Sequence, residues 1–310
     1  MELFQNSRPY RILAGDAASG RLAHAYLFIC PDGRSLRPFL KQLALLVLGA
    51  DARTQRLVEE ECFADCRIFP APGQRAGVEQ VKELLEDCYI KPVEGDRKLF
   101  ILDNVQDMLA PAQNKLLKVL EEPPAGVYFL LGATGEYAVL PTVRSRAKRL
   151  ELLSFPEEEI ASYIRRRYPH RQDAAAIAAL AGGALGRAEE LAEGGPLGAE
   201  AEEAAQLLAT LSPAVIPQAA RRRTGKEEAA RFVQLWRLAV RDALLYKLGR
   251  KDLLLSGADE ALVARAAGRY TEGALVRALE AAARTEYELK FNANSAMSIE
   301  MLLAGILEGR

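Results

Sequence analysis

Three apolar segments constrain the fold more than any other feature of this chain, because each is typical of a strand buried on both faces. They are Leu27–Cys30, Arg97–Asn104 and Val127–Thr134. Runs rich in Leu, Ile, Val and Phe are found in parallel strands, which helices cover on both sides of the sheet. Stretches of different periodicity separate the three segments. The alternation therefore predicts an α/β domain built on a parallel sheet.

The helix between the second and third segments has signals at both ends. Pro111 suits the first turn of a helix, and Pro123 and Pro124 stop it. Three leucines at helical spacing fall on one face: Leu116, Leu117 and Leu120. We expect that face to cover the sheet.

The turn after the first strand lies where a nucleotide-binding domain carries its phosphate loop, but the required chemistry is missing. Segment 31–38 has one glycine, Gly33, and no Lys followed by Ser or Thr. A working loop needs several glycines, so that backbone N–H groups converge on the phosphates, and a Lys-Ser/Thr pair for phosphate and Mg²⁺. Asp32 adds negative charge, and Pro38 is expected to remove an anion-binding N–H near the helix start. By itself, the segment favours an ordinary strand-to-helix turn, and the rest of the chain reverses that preference.

The second strand ends in an acid at a position suited to holding a metal-bound nucleotide, Asp103. A hydrolysing site of this kind needs a carboxylate beside that acid to orient or deprotonate water. The chain has Asn104 there, and an amide cannot take up a proton near neutral pH. Alternatively, either residue caps a helix or tightens a turn. Both interpretations predict no hydrolysis at this site.

Three segments in the middle of the chain form a set: 114–124, 129–134 and 142–147. They resemble the helix, the sensor strand and the arginine-bearing motif of bacterial clamp-loader subunits, which are AAA+ proteins. With its degenerate phosphate loop, the chain is most similar to the delta-prime class of these subunits in DNA polymerase III. The resemblance implies an AAA+-like parallel-sheet domain over 1–154, a small helical lid domain over 155–207 and a C-terminal all-α collar domain over 208–310.

In that family a Ser-Arg-Cys motif offers its Arg to the γ-phosphate of ATP bound by the neighbouring subunit. The motif here is Ser145-Arg146-Ala147, in which Ala replaces a small, usually buried Cys. The resemblance implies that Arg146 is catalytic in trans, with Ser145 positioning it. A guanidinium suits the task because it stays charged and its planar fork spans phosphate oxygens. The alternative is a solvated basic turn, since other basic residues crowd the same stretch.

Two further expectations concern the second half of the chain. Arg187 stands near the place of a nucleotide-sensing Arg in the family's lid, but without a bound phosphate a surface role is expected. From Lys226 onward, seven apolar residues follow a 3.6-residue repeat: Phe232, Val233, Trp236, Ala239, Val240, Ala243 and Leu244. We expect this stripe to pack within its own domain, with some apolar surface of the collar left for neighbours.

Composition narrows the class of protein. At 310 residues and 50% hydrophobic content, the chain is long enough for two or three domains. A formal net charge of -1 argues against a freestanding, highly basic nucleic-acid binder. The N-terminus lacks the apolar core of a signal peptide, and the run Leu43–Leu48 is too short to span a bilayer. A cytoplasmic protein without membrane contact is predicted.

No metal or cofactor is predicted. Many family members insert a four-cysteine zinc module after the first helix, and this chain keeps only Cys62 and Cys66 there. A structural zinc needs four ligands, and neither His24 nor His170 is near in sequence. Buried or idle thiols are the favoured interpretation.

The resemblance implies a non-hydrolysing subunit that helps to load the sliding clamp during replication. Its expected partners are a gamma/tau-type ATPase subunit and the delta subunit, with the clamp and primer–template DNA contacted within the complex. Two alternatives stay open: an active AAA+ ATPase of a loader or recombination complex, and a standalone DNA-binding scaffold. Weak binding of an anion or nucleotide beside Arg34 and Arg37 is also left open.

Overall fold

The computed structural model describes residues 2–71, 74, 76–194, 197–290 and 293–307. The chain forms two compact units. The first runs to Phe155 and also includes Ala184–Arg187, and the second contains Pro156–Gly183 and the chain from Ala188 onward. The division of the second half into lid and collar domains at residue 208 stays a prediction.

The first unit alternates strands with helices, as predicted. Its helices are α1 (Glu2–Asn6), α2 (Arg8–Ala18), α3 (Gly33–Leu48), α4 (Ala52–Glu59), α5 (Val78–Asp87), α6 (Ala110–Glu121) and α7 (Pro141–Arg144). Its strands are β1 (Ala25–Ile29), β2 (Cys66–Phe69), β3 (Lys98–Leu102), β4 (Val127–Ala133) and β5 (Lys148–Glu151). The sequence gives no clear signal for β2, because Arg67 interrupts a run of only four residues.

The strands form one sheet in the order β2-β3-β4-β1-β5, and every neighbouring pair is parallel. Ala25 is aligned with Phe129, and Lys98 is aligned with Val127, so β4 lies between β1 and β3. The carboxyl ends of parallel strands meet at one edge of a sheet, where α/β domains bind ligands. The turns that follow β1, β3 and β4 are therefore neighbours.

Packing against the sheet confirms the predicted α/β fold. Phe100 and Phe129 stack with ring centroids 5.6 Å apart in a core to which α6 contributes Leu116 and Leu120. Each fully buried side chain of this kind contributes about 1.5–3 kcal/mol. On α3, Leu36 approaches Gly132 of β4 so closely that a Cβ added there would lie 2.9 Å from its Cδ1. The helix therefore lies directly against the strand.

The second unit is all-helical. Its elements are α8 (Glu157–Arg167), α9 (Ala174–Ala181), α10 (Leu185–Glu193, whose first turn groups with the first unit), α11 (Gly198–Thr210), α12 (Ile216–Arg221), α13 (Lys226–Lys247), α14 (Glu260–Arg269), α15 (Glu272–Lys290) and α16 (Ser295–Leu307). Helix α13 packs against α11, α14 and α15. It is the central helix of this bundle.

The predicted apolar stripe of α13 is buried, but burial extends around most of the helix. Gln234, Leu235 and Leu238, which the stripe omits, are also buried, whereas Leu244 is only half-buried. Asp242 is fully buried and accepts hydrogen bonds from the Ser256 N–H at 2.7 Å and the Leu255 N–H at 3.0 Å. The stripe packs within its own unit, as expected, and neighbouring helices surround α13 on most sides.

Candidate functional site

The turn between β1 and α3 carries a carboxylate that accepts hydrogen bonds from its own chain. Asp32 precedes the first residue of α3, Gly33. Its Oδ2 accepts hydrogen bonds from the Ser35 hydroxyl at 2.5 Å and from the Gly186 N–H at 2.7 Å. The same N–H lies 2.8 Å from Ser35 Oγ. The negative charge at this turn therefore comes from the chain itself, and it engages the donors that surround it.

Gly186 is packed tightly against this turn. A Cβ added at position 186 would lie 2.5 Å from Arg34 Cβ and 2.9 Å from the Ser35 backbone nitrogen. Only glycine permits that approach without displacement. Sequence reasoning missed Gly186, because its partner is 154 residues away. Arg187 has intermediate exposure, and its expected surface role stays a prediction.

The predicted effect of Pro38 on anion binding is wrong. A helix leaves free only the N–H groups of its first turn, and α3 begins at Gly33. Pro38 lies beyond that turn, inside the helix. Its missing N–H would have bonded to a helix carbonyl and not to a ligand.

The acid after β3 faces a guanidinium. Asp103 is 6% exposed, and its Oδ2 lies 3.4 Å from Arg37 Nη1. Arg37 also donates to Glu61 Oε1 at 2.8 Å and to the Pro70 carbonyl at 2.9 Å. Burial raises the pKa of Asp103, and the charge of Arg37 offsets part of that effect. Arg37 is thus engaged by its own chain, and its guanidinium places a cation beside Asp103.

Asn104 makes structural contacts. Its φ of 55° lies in the left-handed region, which Asn tolerates better than most residues. Its Oδ1 accepts a hydrogen bond from Gln106 Nε2 at 3.0 Å, and Gln106 Oε1 accepts one from the Thr134 N–H at 3.2 Å. The amide therefore tightens the turn after β3 and links it to the end of β4. This geometry favours the turn interpretation of Asn104.

Arg146 lies at the surface, just after α7. Its side chain is 30% exposed. Nε donates to Glu121 Oε1 at 2.8 Å, and Nη2 contacts the same oxygen. Nη1 donates to the Thr142 carbonyl at 2.8 Å and to Ser145 Oγ at 3.3 Å. Ala147 packs against the core, as expected for a residue in place of a small buried Cys.

The cysteine pair flanks a structural carboxylate. Cys62 is exposed and Cys66 is buried, and all four cysteines are free thiols. Within the described residues, no group of three or more His, Cys, Asp or Glu side chains could hold a metal ion. Asp65 is 1% exposed. It accepts three successive backbone hydrogen bonds, from Val93 at 2.6 Å, Glu94 at 2.8 Å and Gly95 at 3.2 Å.

No helix within the described ranges combines the length and the apolar character needed to cross a bilayer. The strand order, with a turn after β1 and an acid after β3 at the same sheet edge, defines the class of the first unit as an open parallel α/β domain of the kind that binds ligands at that edge. In this chain, charged groups of the protein itself occupy both places. Asp32 lies in the turn after β1, and Arg37 is paired with the acid after β3, Asp103.

Residues 5–156 match the family described as "DNA polymerase III, delta subunit". The tau/gamma subunit of DNA polymerase III from Haemophilus influenzae is 33% identical over 162 residues, which are 49% of this chain and 23% of that protein. The delta-prime subunit from Yersinia pestis is 31% identical over 153 residues, 44% of each chain. Over residues 5–156, which are just under half of the chain, the α/β domain is therefore similar to clamp-loader subunits of DNA polymerase III.

The matches span less than half of the length of either relative. A solved structure of a gamma-subunit-related protein from Thermotoga maritima aligns with 96% of this chain and 98% of its own, at 16% identity and a TM-score of 0.49. At that level the structural likeness carries no weight in the assignment.

Proposed function

We propose that the chain is a delta-prime-like clamp-loader subunit that hydrolyses no ATP itself and supplies Arg146 to the ATP site of a neighbouring subunit. The observation that carries the proposal is the occupied turn after β1. The carboxylate of Asp32 takes the N–H of Gly186 and the hydroxyl of Ser35, groups that could otherwise face an anion. A polyphosphate at this place would meet a negative charge and a closely packed backbone.

The setting of Arg146 supports the second half of the proposal. The guanidinium is at the surface, and Ser145 and the Thr142 carbonyl orient one of its terminal nitrogens. A planar, permanently charged fork suits a γ-phosphate presented by another subunit. An arginine finger of this kind is worth about 10³ to 10⁵ in rate. Arg146 is thus the catalytic residue in trans, with Ser145 as its positioning residue.

The proposal also names the partners. The ATP belongs to a gamma/tau-type subunit, a delta subunit is the other neighbour, and the sliding clamp and primer–template DNA are contacted by the complex. The lid over 155–207 and the collar over 208–310 are part of this proposal. Helix α16 exposes 61% of Met297 and 71% of Met301, apolar side chains that a neighbour in a collar could cover.

A tau/gamma-like, ATP-binding subunit is the second candidate. It is favoured by the 33% identity to the Haemophilus influenzae tau/gamma subunit over the α/β domain. It requires the contact between Asp32 and Gly186 to open for nucleotide. ATP binding by the isolated chain, measured by calorimetry with Mg²⁺ present, would support this candidate.

The decisive experiment is ATP hydrolysis by a reconstituted complex that contains this chain, the gamma/tau-type subunit and the delta subunit. We expect Arg146→Ala to leave assembly intact and to slow the site that receives Arg146 by about 10³ to 10⁵. Total DNA-stimulated ATP hydrolysis by the complex falls by the fraction that this site contributes. We expect Asp103→Asn to leave hydrolysis unchanged, because no metal-bound nucleotide is placed there.

Arg149→Ala is the matched control. Arg149 is an exposed basic residue three positions away, paired with Glu136 at 2.7 Å and Glu151 at 3.2 Å. If all basic residues of this stretch only face water, Arg146→Ala and Arg149→Ala will behave alike. Unchanged hydrolysis with Arg146→Ala, or loss of hydrolysis with Asp103→Asn, would refute the proposal.

A further inference from the structure

The guanidinium of Arg146 is largely engaged within its own chain. An arginine carries five N–H donors in a fixed fork. The structure gives four hydrogen bonds from this side chain: Nε and Nη2 to Glu121 Oε1, and Nη1 to the Thr142 carbonyl and to Ser145 Oγ. Arg146 therefore cannot grip a phosphate through two parallel bonds without giving up a partner.

Glu121 contacts the edge of the Arg146 guanidinium that is suited to binding phosphate. Nε and Nη2 form one side of the guanidinium, and such an edge binds carboxylate or phosphate oxygens side-on. The Nη1 nitrogen is instead directed to a backbone carbonyl of α7, that of Thr142. A carboxylate oxygen thus occupies the place where a phosphate oxygen would be bound. Glu121 and an incoming phosphate compete for the same donors.

The position of Glu121 is not explained by the stability of its helix. Glu121 is the last residue of α6, where the helix dipole disfavours a negative charge. Its side chain is 50% exposed, so the ion pair is accessible to solvent. A pair of this kind is weak and exchangeable. It can give way to a phosphate, which carries more charge and more acceptor oxygens.

We propose that Glu121 is a positioning residue for Arg146 that holds the phosphate-binding edge of the guanidinium until a neighbour's phosphate replaces it. This inference rests on the proposed role of Arg146 in trans. It assigns a second residue to the binding of phosphate by Arg146. Each time Arg146 binds a phosphate, its contact with Glu121 must break. Glu121 thereby lowers hydrolysis in complexes that have not yet brought the two subunits together on DNA.

The test compares Glu121→Gln with wild type in the reconstituted complex, with and without primer–template DNA. Without DNA we expect the substitution to raise hydrolysis about two- to fivefold, equivalent to about 0.4 to 1 kcal/mol at 1.36 kcal/mol per tenfold change. With DNA we expect the hydrolysis rate to change by less than about twofold, because phosphate has then already replaced Glu121 at Arg146. The ratio of stimulated to basal rate therefore falls.

Glu122→Gln is the matched control, because it removes the same charge from the adjacent exposed position. Among the described contacts of Arg146, none involves Glu122. The double variant Glu121→Gln/Arg146→Ala should hydrolyse ATP at the rate of Arg146→Ala alone. In the isolated chain, the Arg146 Nε–H resonance should shift with Glu121→Gln and stay in place with Glu122→Gln.

The outcomes separate this inference from the proposed function. If Arg146→Ala slows hydrolysis but Glu121→Gln behaves like Glu122→Gln, the role of Arg146 stands and that of Glu121 is refuted. A fall in the basal rate with Glu121→Gln also refutes it, since Glu121 would then orient Arg146 toward phosphate. If Arg146→Ala itself changes nothing, the proposed function and this inference both fail.

Discussion

The contact between Gly186 and the turn after β1 predicts a large cost for one added methyl group. In Gly186→Ala the new Cβ would lie 2.5 Å from Arg34 Cβ, 2.9 Å from the Ser35 nitrogen and 3.0 Å from the Arg34 carbonyl carbon. None of these atoms is the end of a flexible side chain. Relief therefore requires the backbone of α10 or of the turn to move.

The magnitude follows from two destabilising effects and one stabilising effect. Overpacking of this kind costs about 1–3 kcal/mol. Any movement also weakens the hydrogen bonds from the Gly186 N–H to Asp32 and Ser35, each worth about 1 kcal/mol or more. Against these costs, alanine favours the helical conformation over glycine by about 0.5–1 kcal/mol. We expect a net destabilisation of about 1–3 kcal/mol, or a melting temperature lower by about 2–12 °C.

Gly15→Ala is the control. Gly15 lies within α2 in the same unit, has ordinary helical backbone and has no atom within 4 Å of an added Cβ. Only the gain in helix propensity applies, so the melting temperature should rise by about 1–4 °C. Thermal unfolding followed by circular dichroism measures both. A Gly186→Ala chain that melts at or above the wild-type temperature would show that the turn is not packed as described.

Two further predictions concern titratable groups of the first unit. The hydrogen bond from Arg37 lowers the pKa of Glu61 to about 2, so this carboxylate stabilises the fold above its ordinary pKa of 4.5 and loses that effect as the pH falls toward 2. The difference in urea midpoint between wild type and Glu61→Gln should therefore shrink between pH 5 and pH 3, and a constant difference would contradict the pairing. Only Cys62 is exposed, and burial raises the pKa of the other three thiols to about 12: Cys30, Cys66 and Cys88. A thiol reagent at pH 8 should modify one group in the native chain and four after unfolding, and rapid modification of several native thiols would refute the burial.

Local patterns in the sequence were sufficient for most elements of the α/β domain. The three apolar segments became β1, β3 and β4, and the helix between Pro111 and Pro123 became α6, with its leucines toward the core. These predictions succeed because strand and helix periodicities record which face of an element is buried. The same reasoning missed β2, which is short and carries Arg67, and it left Leu235 and Leu238 out of the buried residues of α13.

By itself the sequence determined that the phosphate loop lacks its glycines and its Lys-Ser/Thr pair, that an amide follows Asp103, and that a Ser-Arg pair stands at positions 145 and 146. Only the tertiary structure decided what these groups contact: Asp32 binds a residue 154 positions away, and Arg146 binds one 25 positions away. The physical reason is that periodicity reports the environment of a residue within its own element. The pairing of charges from distant elements depends on the order of the strands, and a few tenths of an ångström decide whether two groups meet.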